Sequence, residues 1–120
     1  MDNNYIKTMF KHARYFGLSN RAEQTKEESA ELIQALCKFQ RLLNKDETLR
    51  MTEEEILNNI AEEIADVEIC LSELKYLLCN FKTIEEIKQK KIERTERLIY
   101  KNTEGKNKNG LYLWNRTTLF

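Results

Sequence analysis

Residues 27–39 read EESAELIQALCKF, and residues 63–74 read EIADVEICLSEL. In both stretches the apolar residues recur three and four positions apart, which is typical of an amphipathic helix. With a rotation of about 100° per residue, Glu28 and Glu31 lie on the apolar side of the first helix, beside Leu32, Ala35 and Phe39. The same rotation places Glu63 and Asp66 on the apolar side of the second helix, beside Ile60, Val67, Cys70 and Leu74.

Four carboxylates are therefore predicted to point toward the interface between two packed helices. An ionised carboxylate is costly to bury unless it is paired with a cation or bound to a metal. Ligation by oxygen alone suits Mg²⁺ or Mn²⁺ rather than zinc. We expect a divalent cation to bind Glu28, Glu31, Glu63 and Asp66. The alternative, a solvated salt bridge on a helix surface, suits residues such as Glu23 and Glu96 better.

The composition favours long helices over sheets. The chain has 120 residues, no proline and three glycines, and 41% of its residues are hydrophobic. A chain of this length forms one domain, and turn-forming residues are too few for a sheet protein. We therefore expect an all-α fold, an antiparallel bundle of about four long helices, over residues 1–102.

Cap signals and apolar periodicity predict helices over residues 3–16, 19–44, 53–80 and 84–101. Gly17 follows the first helix as a glycine C-cap, and Ser19 is the predicted N-cap of the second. Two capping boxes are predicted for the third and fourth helices, formed by Thr52 with Glu55 and by Thr83 with Glu86.

Apolar positions define the predicted inner faces. On the second helix they are Ala22, Leu32, Ile33, Leu36, Cys37, Phe39 and Leu43, and on the third Ile56, Ile60, Ile64, Val67, Leu71, Leu74 and Leu78. On the fourth helix they are Ile84, Ile87, Ile92 and Leu98. The aromatic residues of the first helix are predicted to lie in the core. The alternative is that Phe10, His12 or Phe16 lines a pocket for a flat base.

Residues 103–120 are predicted to form a flexible link and a short apolar extension. The link is polar, and residues 111–114 after it read LYLW. This end of the chain either docks through Trp114, on the body or on another subunit, or is a disordered terminus.

Charge and cysteine content argue against several classes of protein. The formal net charge is zero, so no overall field favours nucleic acid. Cys37, Cys70 and Cys79 show no CxxC spacing and are predicted to be reduced and buried, so we expect a cytoplasmic location. No apolar run approaches the ~18 residues of a membrane span. His12 is the only histidine, which argues against a zinc site of histidine and cysteine.

The runs EESAE (27–31) and EIAD (63–66) resemble the EExxE and ExxD motifs of the MazG-like all-alpha nucleoside triphosphate pyrophosphohydrolases. The resemblance covers roughly residues 20–101, where two acidic helices and a basic helix follow in the order of that family. It implies that Glu28 and Glu31 bind Mg²⁺ together with Glu63 and Asp66, the same residues that the periodicity selects. It also implies a role for Glu27, through a second metal or a water.

Lys91 and Arg94 match the basic KxxR pattern that such enzymes present to a triphosphate. Lysine and arginine pair with phosphate oxygens, so both are predicted to bind the substrate phosphates. Arg97 and Lys101 are less well placed for this role. The alternative is that all of them are surface charges of an amphipathic helix.

The resemblance implies Mg²⁺-dependent hydrolysis of a (deoxy)nucleoside triphosphate to the monophosphate and pyrophosphate, as part of nucleotide-pool cleaning. Glu27 or Glu31 is the expected acceptor of the proton of the attacking water. It also implies assembly as a homodimer or homotetramer. Two alternatives stay open: a non-enzymatic helical protein that binds a partner and has a decayed metal site, and a pyrophosphohydrolase that acts on phosphoribosyl-ATP.

Overall fold

Four helices make up most of residues 3–103, the part of the chain that the computed structural model describes. They are α1 (Asn3–Phe16), α2 (Leu18–Leu43), α3 (Glu53–Leu78) and α4 (Phe81–Thr103). Residues 3–103 contain no strand, and the all-α prediction is confirmed. The predicted link and extension of residues 103–120, with Trp114, lie outside the described residues except for Thr103, which ends α4.

The chain divides into two compact units, with the boundary between Cys79 and Asn80. The first unit contains α1, α2 and α3, in which α2 packs most extensively on α3 and α1 packs on both. α4 belongs to the second unit and is described by itself. None of the helices within residues 3–103 is long and apolar enough to span a membrane.

α2 and α3 form an antiparallel helical hairpin. Arg21 contacts Glu73, and further along α2 Glu28 lies close to Glu63, so the two helices run in opposite directions. The residues between them recur every three and four positions, which is the spacing of a coiled coil. We call these buried and half-buried positions the seam: Arg21, Thr25, Glu28, Leu32, Ala35, Phe39 and Leu42 on α2, and Ile56, Ile60, Glu63, Val67, Cys70, Leu74 and Leu77 on α3.

Several residues predicted for the inner faces lie outside the seam and are exposed. They are Ala22, Ile33, Leu36 and Cys37 on α2, Ile64, Leu71 and Leu78 on α3, and Ile87, Ile92 and Leu98 on α4. For these residues the prediction of burial was wrong. A period of 3.6 residues predicts a broad apolar stripe, whereas the seam of α2 and α3 covers only the narrower coiled-coil positions.

α1 ends where predicted, at a glycine. Gly17 has a φ of 84°, a conformation that glycine adopts at no steric cost. Gly17 is also the N-cap of α2, so the predicted cap Ser19 was wrong and lies inside the helix. α1 then packs on α3, because the ring of Phe10 stacks on that of Tyr76 with centroids 4.2 Å apart, and Arg14 donates a hydrogen bond to the Tyr76 hydroxyl.

Asp46 holds the connection between α2 and α3. Its carboxylate accepts hydrogen bonds from the backbone N–H of Thr48 at 2.8 Å, from the Thr48 hydroxyl at 2.6 Å and from Nε of Arg41 at 2.8 Å. The bonds from Thr48, and then that from Arg41, lower the pKa of Asp46 to about 2. They fix the reversal of the chain and therefore help to set which residues of α2 and α3 face each other.

The predicted capping box of α3 is confirmed. Oγ1 of Thr52 accepts from the backbone N–H of Glu55 at 3.1 Å, and Oε2 of Glu55 accepts from the backbone N–H of Thr52 at 2.9 Å. The box predicted at Thr83 and Glu86 was wrong, because α4 begins at Phe81 and Thr83 lies inside it.

The turn at the end of α3 explains the early start of α4. Cys79 adopts a left-handed conformation with a φ of 53°, which ends α3. The backbone carbonyl of Asn80 already accepts the N–H of Ile84 at 3.0 Å. This position leaves Cys79 exposed, and Cys37 is exposed as well, so of the cysteines predicted to be buried only Cys70 is; all three are free thiols.

Thr52→Ala is expected to lower the free energy of unfolding by about 1 kcal/mol, because the N-terminus of α3 loses its side-chain acceptor. Thr83→Ala is the matched control, since alanine is the best helix former inside a helix and little change is expected there. Urea denaturation followed by circular dichroism measures both variants. If Thr83→Ala lowers the free energy of unfolding as much as Thr52→Ala does, the assignment of the caps is contradicted.

Candidate metal centre

Three of the four predicted metal ligands converge at the middle of the seam. One carboxylate oxygen from each of Glu28, Glu31 and Glu63 lies within 4.8 Å of the others. We call these three side chains the carboxylate cluster. Glu28 and Glu63 occupy seam positions, and Glu31 lies three residues after Glu28 on the same side of α2. The antiparallel hairpin therefore brings together residues that are far apart in the chain.

Asp66 and Glu27 lie outside the carboxylate cluster. Asp66 is exposed and follows Glu63 by three residues on α3, close enough that its negative charge helps to raise the pKa of Glu63. Glu27 is also exposed, on a different side of α2 from Glu28 by about 100°. Asp66 is thus placed as a neighbour of the cluster, and the role of Glu27 stays a prediction.

Two oxygen atoms of the carboxylate cluster are buried without a hydrogen-bond donor. Oε1 of Glu28 accepts from Nε2 of Gln24 at 2.6 Å. Oε2 of Glu28 and Oε2 of Glu63, however, have no donor among the described residues. Because buried polar atoms are nearly always satisfied, these oxygens could accept a cation or a donor from outside the described residues.

The carboxylate cluster disfavours the ionised form of Glu63. Burial raises the pKa of Glu63 above its ordinary value of 4.5, and the negative charge of Glu31 raises it further. The negative charges of Asp66 and Glu28 raise the pKa of Glu63 as well. A bound divalent cation would remove this repulsion.

The donor set fits a hard cation. The carboxylate cluster offers oxygen atoms only, as Mg²⁺ and Mn²⁺ prefer. Cys70 lies on the same seam, but burial, followed by the charges of Glu73 and Glu28, raises the pKa of its thiol. A protonated thiol is a poor ligand, so a soft metal is not favoured. Glu28, Glu31 and Glu63, with Asp66 beside them, are the residues that would hold the ion.

Lys91 and Arg94 lie on α4, in the second unit. Both are exposed and lie three positions apart, so they project from one side of the helix. The backbone carbonyl of Lys91 accepts a hydrogen bond from Oγ1 of Thr95 at 3.0 Å. Their predicted role in phosphate binding stays a prediction.

Sequence reasoning missed a buried ion pair at the α1 end of the seam. NH1 of Arg21 lies 3.4 Å from Oε1 of Glu73, and the two side chains are 12% and 2% exposed. The guanidinium carbon of Arg21 also lies 4.2 Å from the centre of the Phe16 ring. Oε2 of Glu73 has no hydrogen-bond donor in the described chain. The available signal was that both charged residues fall on the apolar sides of their helices.

An open pocket of about 580 Å³ adjoins this ion pair. Its apolar wall consists of Tyr5, Met9, Phe16 and Ile69, and its polar wall of Asn4, Thr8, His12, Arg21 and Glu73. We call it the α1 pocket. His12 and Phe16 of the first helix thus line a pocket, while Phe10 stacks on Tyr76 instead; that the pocket takes a flat base stays a prediction.

Comparison with models of known protein families found no match, and comparisons with curated proteins and with solved structures found none either. The resemblance to the MazG-like enzymes therefore stays a prediction that rests on the motifs.

Glu63→Gln is expected to leave the metal-free protein at least as stable as the wild type, because it removes one of the repelling charges at nearly constant volume. It should also reduce the rise in melting temperature that Mg²⁺ causes, since stabilisation by a ligand depends on its affinity for the folded state. Thermal melts with Mg²⁺ and with EDTA measure both effects. Glu68→Gln, the same change at an exposed position of α3, is the matched control.

The difference between wild type and Glu63→Gln in EDTA should also depend on pH. Because the folded-state pKa of Glu63 is raised, its charge costs stability above that pKa, and the cost disappears as pH falls toward 4.5. The stability that Glu63→Gln gains over the wild type in EDTA should therefore be largest near neutral pH.

A wild type whose melting temperature does not shift with millimolar Mg²⁺, together with a Glu63→Gln variant that is destabilised in EDTA, would exclude the metal centre.

Proposed function

We propose that this chain is a Mg²⁺-dependent nucleoside triphosphate pyrophosphohydrolase, which converts a (deoxy)nucleoside triphosphate and water to the monophosphate and pyrophosphate. The observation that carries the proposal is the carboxylate cluster with its two buried, unpaired oxygens. The motif resemblance supplies the reaction. The proposed setting, removal of surplus or non-standard nucleotides, comes from that resemblance as well.

The chain's own carboxylates have distinct proposed roles. Glu28, Glu31 and Glu63 hold the ion, with Asp66 as a further ligand. The chemistry that a bound Mg²⁺ supplies is polarisation of the α-phosphate and a lower pKa of the attacking water. Glu31 or Glu27 accepts the proton of that water, since a carboxylate that is placed to take a proton acts as a general base.

Lys91 and Arg94 are the proposed ligands of the β- and γ-phosphates. The positive charge of each side chain would stabilise the negative charge of the leaving pyrophosphate. A guanidinium also donates two parallel hydrogen bonds to a phosphate, which an ammonium does not. Arg94 is therefore expected to contribute the geometry of binding, and Lys91 mainly charge.

Partner binding without catalysis is the second candidate function. Ile33 and Leu36 on α2 are 62% and 45% exposed, and Leu71 on α3 is 43% exposed. Exposed apolar residues on neighbouring positions often mark a protein contact surface. In the enzymatic proposal the same side chains serve assembly into a homodimer or homotetramer.

A screen of pyrophosphate release over the common ribo- and deoxyribonucleoside triphosphates, with Mg²⁺ or Mn²⁺, separates the two functions. The enzyme reading predicts a monophosphate and pyrophosphate as products, and no turnover in EDTA. Glu63→Gln should lower kcat about a hundredfold or more, because several kcal/mol of transition-state stabilisation are lost. Lys91→Gln should mainly raise KM, and Glu68→Gln should change neither constant.

Release of orthophosphate in place of pyrophosphate would contradict the proposed reaction. If no triphosphate is hydrolysed with Mg²⁺ or with Mn²⁺, partner binding is the better supported of the two candidate functions. Equal activity of Glu63→Gln and wild type would show that the carboxylate cluster does not perform the chemistry.

A further inference from the structure

We propose that the α1 pocket binds a nucleobase that carries an exocyclic amino group, and that Glu73 is the residue that selects it. The inference deepens the proposed function and rests on it for the claim that this base belongs to the substrate. Its evidence is separate from the carboxylate cluster, because it comes from the pocket and from the buried pair of Glu73 with Arg21.

Glu73 is unusual among the residues that line the α1 pocket. It is only 2% exposed, yet Oε2 of its carboxylate has no hydrogen-bond donor within the described residues. Oε1 is paired with NH1 of Arg21 at 3.4 Å, and Nε and NH2 of Arg21 donate hydrogen bonds to Oδ1 of Asn20. A buried acceptor without a donor is costly, so the pocket favours a ligand that brings an N–H group.

The aromatic side chains that line the pocket favour a flat ligand. Tyr5 and Phe16 line the pocket and are 51% and 47% exposed, and a base can stack on an aromatic ring. Ile69 adds an aliphatic surface. One face of Phe16 is already covered by the guanidinium of Arg21, and Tyr15 makes an edge-to-face contact with the Phe16 ring.

The position of the α1 pocket suits a nucleoside joined to phosphates at the carboxylate cluster. Asp66, Ile69 and Glu73 follow each other at three and four residues, so they lie on one side of α3. Glu63 of the carboxylate cluster and Glu73 are ten positions apart, which is roughly 15 Å along a helix, and Asp66 beside the cluster is roughly 10 Å from Glu73. These separations are comparable with the length of a nucleoside that carries phosphate groups.

The amino group is the feature that distinguishes the candidate bases. Cytosine and adenine offer an exocyclic N–H₂ donor, whereas uracil and hypoxanthine offer a carbonyl oxygen at the same place. A carboxylate attracts the first and repels the second. An unpaired buried group discriminates strongly between such analogues.

Binding of nucleosides without phosphates, measured by calorimetry in EDTA, tests the inference apart from metal binding and hydrolysis. Cytidine and uridine form one matched pair, and adenosine and inosine form another. We expect the amino-bearing member of each pair to bind roughly tenfold to a hundredfold more tightly, as for one hydrogen bond to a charged group. Glu73→Gln should abolish this preference, and Glu68→Gln should preserve it.

The inference is overturned if the wild type binds the two nucleosides of each pair with equal affinity. It is also overturned if the wild type binds none of them at millimolar concentration. Glu73→Gln that folds, as checked by circular dichroism, and keeps the preference would also overturn it. The inference and the proposed function can fail separately. Equal rates of pyrophosphate release from triphosphates of every base would refute the inference alone. Selective nucleoside binding without hydrolysis of any triphosphate would refute the enzymatic function alone.

Discussion

Negative charge placed between two packed helices is the constraint on which the rest of this structure depends. Glu28 and Glu63 occupy positions of the seam where a coiled coil normally has apolar residues. Their burial raises the pKa of Glu63 and leaves two oxygens without a donor in the described residues. A purely structural hairpin would be more stable with leucine at both positions. The loss of stability is understandable if the cluster binds a cation as part of its function.

The seam divides into two parts with different tasks. From Leu32 to Leu42, opposite the first half of α3, its residues are mainly apolar, and Ala35 and Ile56 are fully buried. This part, with the capping box at Thr52 and the hydrogen bonds of Asp46, holds α2 and α3 in register. From the middle of the seam toward the start of α2, the seam residues of α2 are polar. The carboxylate cluster and the α1 pocket lie along this part. The stable part therefore fixes the geometry of the part that carries charge.

Periodicity predicted the helices and the side of each helix on which Glu28, Glu31 and Glu63 lie, because both depend on local spacing. It did not predict which apolar residues are buried, since Ile33 and Leu36 fit a helical stripe as well as Leu32 does, and only the partner helix decides between them. Ser19 and Thr83 failed as caps for a similar reason: Gly17 and the left-handed Cys79 start and end helices through backbone conformation. The pairing of Arg21 with Glu73 depends on the register of two helices that are distant in the chain, which single-sequence patterns do not contain.

Anomalous diffraction from crystals grown with Mn²⁺ locates the cation without reference to activity. An anomalous peak at coordination distance from carboxylate oxygens of Glu28, Glu31 and Glu63 is expected, with Asp66 adjacent to it. The formerly unpaired Oε2 atoms of Glu28 and Glu63 should be among the ligands. A carboxylate cluster without a peak at saturating Mn²⁺ would contradict the metal centre and the function built on it.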